Sequence, residues 1–263
     1  MNQHPIIIIG GGNMGGAIAR RWHDAQGGCV HVVEHDASRR KALEELGIKT
    51  HTLLEHAPLA ATYLLAIKPQ QFSQSVTELK HIISDREPLL ISIMAGVPLS
   101  ALHAISPRAV RVMPNLPALI GESMSVACAP GLAKLSENMV TRLFESIGAI
   151  AWVEDEDQLH AITAISGSGP AYVFAFMEAL QHAAVDLGVD PELAGHLVAQ
   201  TLRGAALLAE QSPVNVTTLR EQVTSKGGTT EAALATLTKG KLDDLISRAV
   251  KAADARSKAL ADS

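Results

Sequence analysis

The chain predicts an α/β first half, a doubly wound and mainly parallel sheet, followed by an all-α second half, and three observations carry that expectation. Short runs of apolar, β-branched residues alternate with helical periods as far as Val153. A glycine-rich turn separates the first such run from the first helix. Beyond Glu154-Asp155-Glu156-Asp157 the strand signals cease, so the boundary is expected at 155/156, with a sheet domain over 1–155 and a helical one over 156–263.

The first run, Ile6-Ile7-Ile8-Ile9, suits a strand buried on both faces. Gly10, Gly12 and Gly15 follow it in the G-x-G-x-x-G spacing, with Gly11, Asn13 and Met14 in the same turn. In such a Rossmann-like unit the first glycine permits the sharp turn and the second lets backbone approach a pyrophosphate. The third lets the helix lie close on the sheet. Free N–H groups at the helix start then face the phosphates. The alternative is a plain structural turn.

A helix over 13–26 should stop at Gly27-Gly28, and a strand over 29–36 follows. An acid at the end of that strand takes the adenosine ribose 2′-hydroxyl, and Glu34 and Asp36 are the candidates. Arg39 and Arg40 come next, and an arginine there accepts a 2′-phosphate instead. The choice between NADH and NADPH stays open, leaning to NADH. The same segment spells His31-x-x-Glu34-His35, an inverted zinc motif, but that motif needs a helix and these surroundings read as strand. No metal is expected.

Further helices are expected over 37–46, 99–105 and 134–147, and further strands over 48–50, 62–67, 88–93, 110–113, 124–127 and 149–153. The fourth strand runs into Lys68-Pro69-Gln70, where Lys68 either approaches a phosphate or ribose or is simply solvated. Pro114-Asn115-Leu116-Pro117 forbids regular structure, and Asn115 either meets the nicotinamide amide or holds the turn. Lys134-x-x-x-Asn138 imitates a catalytic pair but lies on an amphipathic helix, as a solvated face.

In the second half, Tyr172 to Leu187 follows a helical period with apolar neighbouring faces, as in a helix covered from several sides. Asp190-Pro191 caps a long helix to about Gln211, and shorter ones run over 217–224, 230–238 and 241–259. So much apolar helix implies burial against a second copy of the chain. Two glycine-containing breaks, Ser166 to Pro170 and Thr224 to Thr230, each precede a helix and have the build of an anion site; the second is favoured for a small carboxylate.

Hydrophobic content of 47% with 19% charge supports a large core, and the net charge of −5 gives no basic face for nucleic acid or anionic membrane. No window approaches the roughly eighteen consecutive apolar residues of a membrane span, and no signal-type N-terminus is present, so the expected location is the cytoplasm. Cys29 and Cys128 have no metal or redox spacing and read as buried small apolar residues.

Six segments in order resemble the pyrroline-5-carboxylate reductases: Ile9 to Met14, Ala66 to Pro69, Ser92 to Val97, Arg111 to Asn115, Ser166 to Tyr172 and Val223 to Thr230. The last two together are close to diagnostic. The resemblance implies a Rossmann domain, an interlocked helical dimer often assembled into rings, and hydride transfer from NADPH or NADH to a cyclic imine, giving L-proline. It implies that Gly10 to Met14 and Ala66, Ile67, Lys68 and Pro69 hold the cofactor, with Met94 and Ala95 beside the nicotinamide. Gly227, Gly228, Thr229 and Thr230 would receive the substrate carboxylate, helped by Ser225, with the Thr230 hydroxyl near the ring nitrogen. Two departures stand out: Leu116 replaces the usual threonine, and His35-Asp36 replaces a segment suited to a 2′-phosphate. The rival readings are another imine reductase or hydroxyacid dehydrogenase, and a cofactor-binding redox sensor.

Overall fold

The computed structural model describes residues 5–26, 29–83 and 86–261. The expected helix stop at Gly27-Gly28 lies outside them. Among the described residues, contacts divide the chain into two compact units, one of residues 1–170 with 252–263 and one of 171–251.

The first unit is built on an eight-stranded sheet in the order β3-β2-β1-β4-β5-β6-β7-β8. Its strands are β1 (Ile6–Ile9), β2 (Val30–Val33), β3 (Lys49–His51), β4 (Thr62–Leu65), β5 (Leu89–Ser92), β6 (Ala109–Met113), β7 (Ser123–Cys128) and β8 (Gly148–Val153). Every pairing is parallel except β6 with β7. That exception follows from the link: residues 114–122 hold one 3-10 turn, Leu116–Ile120, too short for the crossover that parallel neighbours need.

The strand pleat sends alternate residues to opposite cores. Ile6 and Ile8 join Val30, Val32 and Leu64 on one face, under α1 (Asn13–Gln26), α2 (Ala37–Glu44) and, farther along the chain, Lys134–Glu145. Ile7 and Ile9 join Val33, Tyr63 and Leu65 on the other, under α3 (Phe72–Ile83) and α4 (Leu99–His103). Lys134–Glu145 is α5, and its Lys134 and Asn138 stand exposed as a solvated face. Cys128 is buried, and burial together with the nearby Glu156 carboxylate pushes its thiol up to about 11. Cys29 is only half-buried, contrary to expectation, because it stands just ahead of β2 rather than within the sheet.

The strands end at Val153, close to the expected boundary, but the compact unit continues to Pro170. Glu156 ties the acidic run to the sheet, its carboxylate holding Arg111 Nη1 at 2.8 Å and accepting the Leu99 N–H at 2.8 Å. Leu159 on α6 (Gln158–Ile162) then buries fully in the second core. A π-helical turn, Thr163–Gly167, follows.

The second unit is helical: α7 (Gly169–Asp186), α8 (Pro191–Gln211), α9 (Val216–Gln222), α10 (Thr229–Lys239) and α11 (Leu242–Ala261), the last of which belongs to the first unit from Ala252 onward. Asp190 caps α8, accepting the Glu192 and Leu193 N–H groups, with Pro191 at the first position as expected. Within one chain, however, α7 is not covered from several sides. It has no buried residue, and Phe174 and Phe176 are 55% and 45% exposed. Among the described residues no helix is long and apolar enough to cross a membrane.

Candidate active site

The C-terminal ends of β1, β2, β4 and β5 open into one cavity of about 670 Å³. It lies where the strand order reverses, between β1 and β4, the position at which open α/β sheets take ligands. Its size is within the roughly 300–1,000 Å³ of small-molecule sites.

The glycine turn forms one wall, and its glycines are present for different reasons. Gly10 leaves β1 at φ +104°, and a Cβ there would stand 2.5 Å from the Ala66 carbonyl oxygen. A Cβ on Gly15 would overlap the Gly10 carbonyl oxygen, backbone against backbone. Gly12 is unlike both: the nearest described atom to its missing Cβ is an Arg39 guanidinium nitrogen at 3.8 Å. The space a side chain would fill is open to the cavity at the N-terminus of α1, which suits a pyrophosphate on the first N–H groups of the helix. Gly10, Gly12 and Asn13 line the cavity. Gly11 is buried beside it, and Met14 is half-buried, packed on the core.

The opposite wall comes from the loops after β4 and β5. Ala66, Ile67, Lys68 and Pro69 line it, with Lys68 exposed, and Met94 and Ala95 stand where β5 ends. Sequence reasoning missed α3, whose Gln74, Ser75 and Glu78 complete this wall. The signal was present: Pro69 opens the segment, and Phe72, Val76, Leu79 and Ile83 keep a helical period.

The structure separates the two candidate ribose acids. Glu34 lines the cavity, its Oε2 accepting the Gly11 N–H and its Oε1 the Asp36 N–H, both at 2.9 Å. Asp36 is the N-cap of α2, accepting the Arg39 N–H at 2.9 Å and the Ser38 hydroxyl at 2.5 Å. The Ser38 hydroxyl, then the Arg39 N–H, hold the Asp36 carboxyl below the usual range. It works as a cap. An Asp directly ahead of a helix carries that meaning in sequence too. His31 of the zinc-like motif lies in β2, where its ring stacks on His51 at 5.2 Å between centroids and the two share a 2.9 Å hydrogen bond. Among the described residues no group of three or more His, Cys, Asp or Glu is placed to hold a metal.

Asn115 is committed to the protein. Its Oδ1 accepts the Ser123 hydroxyl at 3.1 Å and the Met124 N–H at 3.0 Å, while Nδ2 donates to the Ser166 carbonyl at 3.0 Å. Of the two roles open to it in sequence, it performs the turn-holding one, joining β6 and β7 to the π-helical turn. Asn115 thereby ties the start of the first glycine-containing break, at Ser166, to the sheet.

The second break stands in the helical unit. Gly228 N donates to the Ser225 carbonyl at 3.0 Å, closing a turn that delivers Thr229 and Thr230 as the first residues of α10. Thr230 is half-buried; Ser225 and Thr229 are exposed. Gly227 N donates to the Glu231 carboxylate at 2.6 Å, so an anionic group already sits on this turn.

Comparison with known proteins agrees with this layout. Residues 156–260 match the family model described as pyrroline-5-carboxylate reductase dimerisation, and residues 5–96 match that described as NADP oxidoreductase, coenzyme F420-dependent. A pyrroline-5-carboxylate reductase of Haemophilus influenzae is 40% identical over 97% of each chain. The chain belongs to the pyrroline-5-carboxylate reductase family. A solved member from Coxiella burnetii is 36% identical with a TM-score of 0.91, covering 98% of this chain and 99% of its own. Another, from Plasmodium falciparum with NADP bound, is 30% identical with a TM-score of 0.82 over 97% and 99%. The match covers 97% of this chain, so both the sheet and the helical half fall within the family.

Proposed function

We propose that this chain reduces the C=N bond of 1-pyrroline-5-carboxylate to give L-proline, using NADH or NADPH. One observation carries the reading: a member of the family, matched over 97% of this chain, presents an open glycine cradle at a sheet switch point and a hydroxyl-bearing turn at the start of α10. The cofactor, when bound, supplies the hydride. Every other task is one of binding, orientation and exclusion of water.

The Gly10 to Met14 turn holds the pyrophosphate, with Gly12 leaving room for it. Ala66 to Pro69 flank the cofactor, and the buried Met94 with the exposed Ala95 stands beside the nicotinamide where β5 ends. The Gly227-Gly228-Thr229-Thr230 turn receives the substrate carboxylate through backbone N–H groups, with Ser225 helping. A substrate carboxylate would take over the Gly227 N–H from Glu231. Thr230 places its hydroxyl near the ring nitrogen, where it orients a proton through water; an alcohol is too weak an acid to deliver one outright.

The working form we infer is a homodimer joined through the apolar faces of α7 and α8, with residues 156–263 as the substrate and dimerisation domain, located in the cytoplasm and open to further assembly into rings. Phe174 and Phe176 on α7 and Leu193 and Leu197 on α8, each 45% exposed or more in the single chain, support a missing neighbour. No nucleic-acid or membrane partner is called for. The test is purified protein with pyrroline-5-carboxylate and each dinucleotide in parallel. Consumption of reduced cofactor with matching formation of L-proline is expected. Absence of turnover with both cofactors overturns the reading.

A further inference from the structure

We propose that Glu34 makes this enzyme select NADH over NADPH. The inference rests on the assignment of the cavity to a dinucleotide and concerns this chain's own residues at its adenosine end. Of the acids and bases that follow β2, only Glu34 is both fixed and free to read a ribose. Its side chain is about one-tenth exposed, and its two oxygens are each pinned at 2.9 Å by a different backbone N–H, Gly11 on one and Asp36 on the other. A carboxylate oxygen can accept more than one hydrogen bond, so each keeps an acceptor site for a hydroxyl.

Its place is set by packing as well. A Cβ on Gly11 would come 3.1 Å from Glu34 Cβ and 3.2 Å from its Cγ, so the acid lies directly against the glycine turn. In this fold class the ribose next to the pyrophosphate presents its 2′-position to the residue at the end of the second strand. A 2′-hydroxyl donates to a fixed carboxylate. A 2′-phosphate carries about −1.5 to −2 charges and has little to donate.

The neighbouring cations do not reverse the balance. Arg40 is not among the residues lining the cavity, and its Nη1 turns to main chain, donating to the Glu34 carbonyl at 2.8 Å and the His35 carbonyl at 2.7 Å. Arg39 stands 3.7 Å from Glu34 Oε2 with its side chain 58% exposed, so its charge is already matched by the carboxylate. Asp36 adds a second acid two residues on, held in the α2 cap. A phosphate entering here meets one solvated cation and a pinned anion. Like charges about 4 Å apart at a protein surface correspond to discrimination of about tenfold or more.

The experiment is equilibrium binding without substrate, by nicotinamide fluorescence or calorimetry, for the wild-type protein, Glu34→Gln and Arg39→Ala. Glutamine keeps an oxygen for the Gly11 N–H while removing the charge, and a melting curve checks that each variant folds. The wild type is expected to bind NADH at least about tenfold more tightly than NADPH. Glu34→Gln should remove most of that ratio by strengthening NADPH, and Arg39→Ala should keep the preference for NADH. Equal or tighter binding of NADPH by the wild type overturns the proposal, whether or not the variants fold, as does a ratio unmoved in folded Glu34→Gln. Failure of the folded wild type to bind either dinucleotide would instead strike the assignment of the cavity.

Discussion

The two units differ in whether one chain completes their cores. In the first, residues along β1, β4, β5 and β6 are buried throughout and both sheet faces carry a closed cluster. In the second, α7, α9, α10 and the part of α11 before Ala252 bury no residue, and α8 buries only Ala194 and Val198. Yet Phe174, Leu193, Leu197 and Leu208 are apolar and about half exposed or more. Apolar side chains therefore have two structural meanings here. In the sheet it builds a rigid support for the dinucleotide, and in the helices it leaves a face whose burial is left to a second subunit.

The first way to break that contrast is to attack the finished half. Gly15→Ala forces a methyl onto the Gly10 carbonyl, and neither backbone can yield without shifting the turn. A loss of about 3 kcal/mol, the upper end for forcing atoms into a packed site, is expected in denaturant unfolding, together with sharply weakened dinucleotide binding. The second attacks the unfinished half. Phe176 and Leu180 lie one turn apart on α7 and are 45% and 37% exposed. Glutamate at both should convert the dimer to monomer in sedimentation velocity while leaving dinucleotide affinity within about twofold, since neither residue lines the dinucleotide cavity.

The smallest effect concerns the sheet edge. Burial, then the charges of His51 and Lys49, lowers His31 below its ordinary value of 6.5; burial, then the charges of His56 and Lys49, lowers His51. A shared N–H···N bond also needs at least one neutral ring. With folded values below the unfolded one, the unfolded chain binds more protons. Stability is therefore complete above about 6.5 and declines as pH falls toward the folded values. Thermal melts between pH 7.5 and 5 should show this decline in the wild type and a shallower one in His51→Gln.

The parallel strands were legible because burial on both faces writes them as continuous apolar runs, and the glycine turn because close approach tolerates no side chain. The antiparallel step from β6 to β7 was not, since strand direction follows from link length and packing rather than composition. Asn115 could not be resolved in sequence, because an amide that holds a turn and one that meets a ligand are the same residue. Glu34 and Asp36 differed only once the pleat aimed one at the glycine turn and the helix start claimed the other. The face of α7 showed as apolar in sequence, but nothing local in it distinguishes burial within a chain from burial between chains.

The division of labour between the two units is tested most directly by Thr230→Ala, measuring turnover with pyrroline-5-carboxylate beside the equilibrium affinity for the dinucleotide. Turnover is expected to fall by about a hundredfold, in keeping with loss of a proton-positioning group, while dinucleotide affinity stays within about twofold. An equal loss in both, or no loss of turnover, would contradict the account.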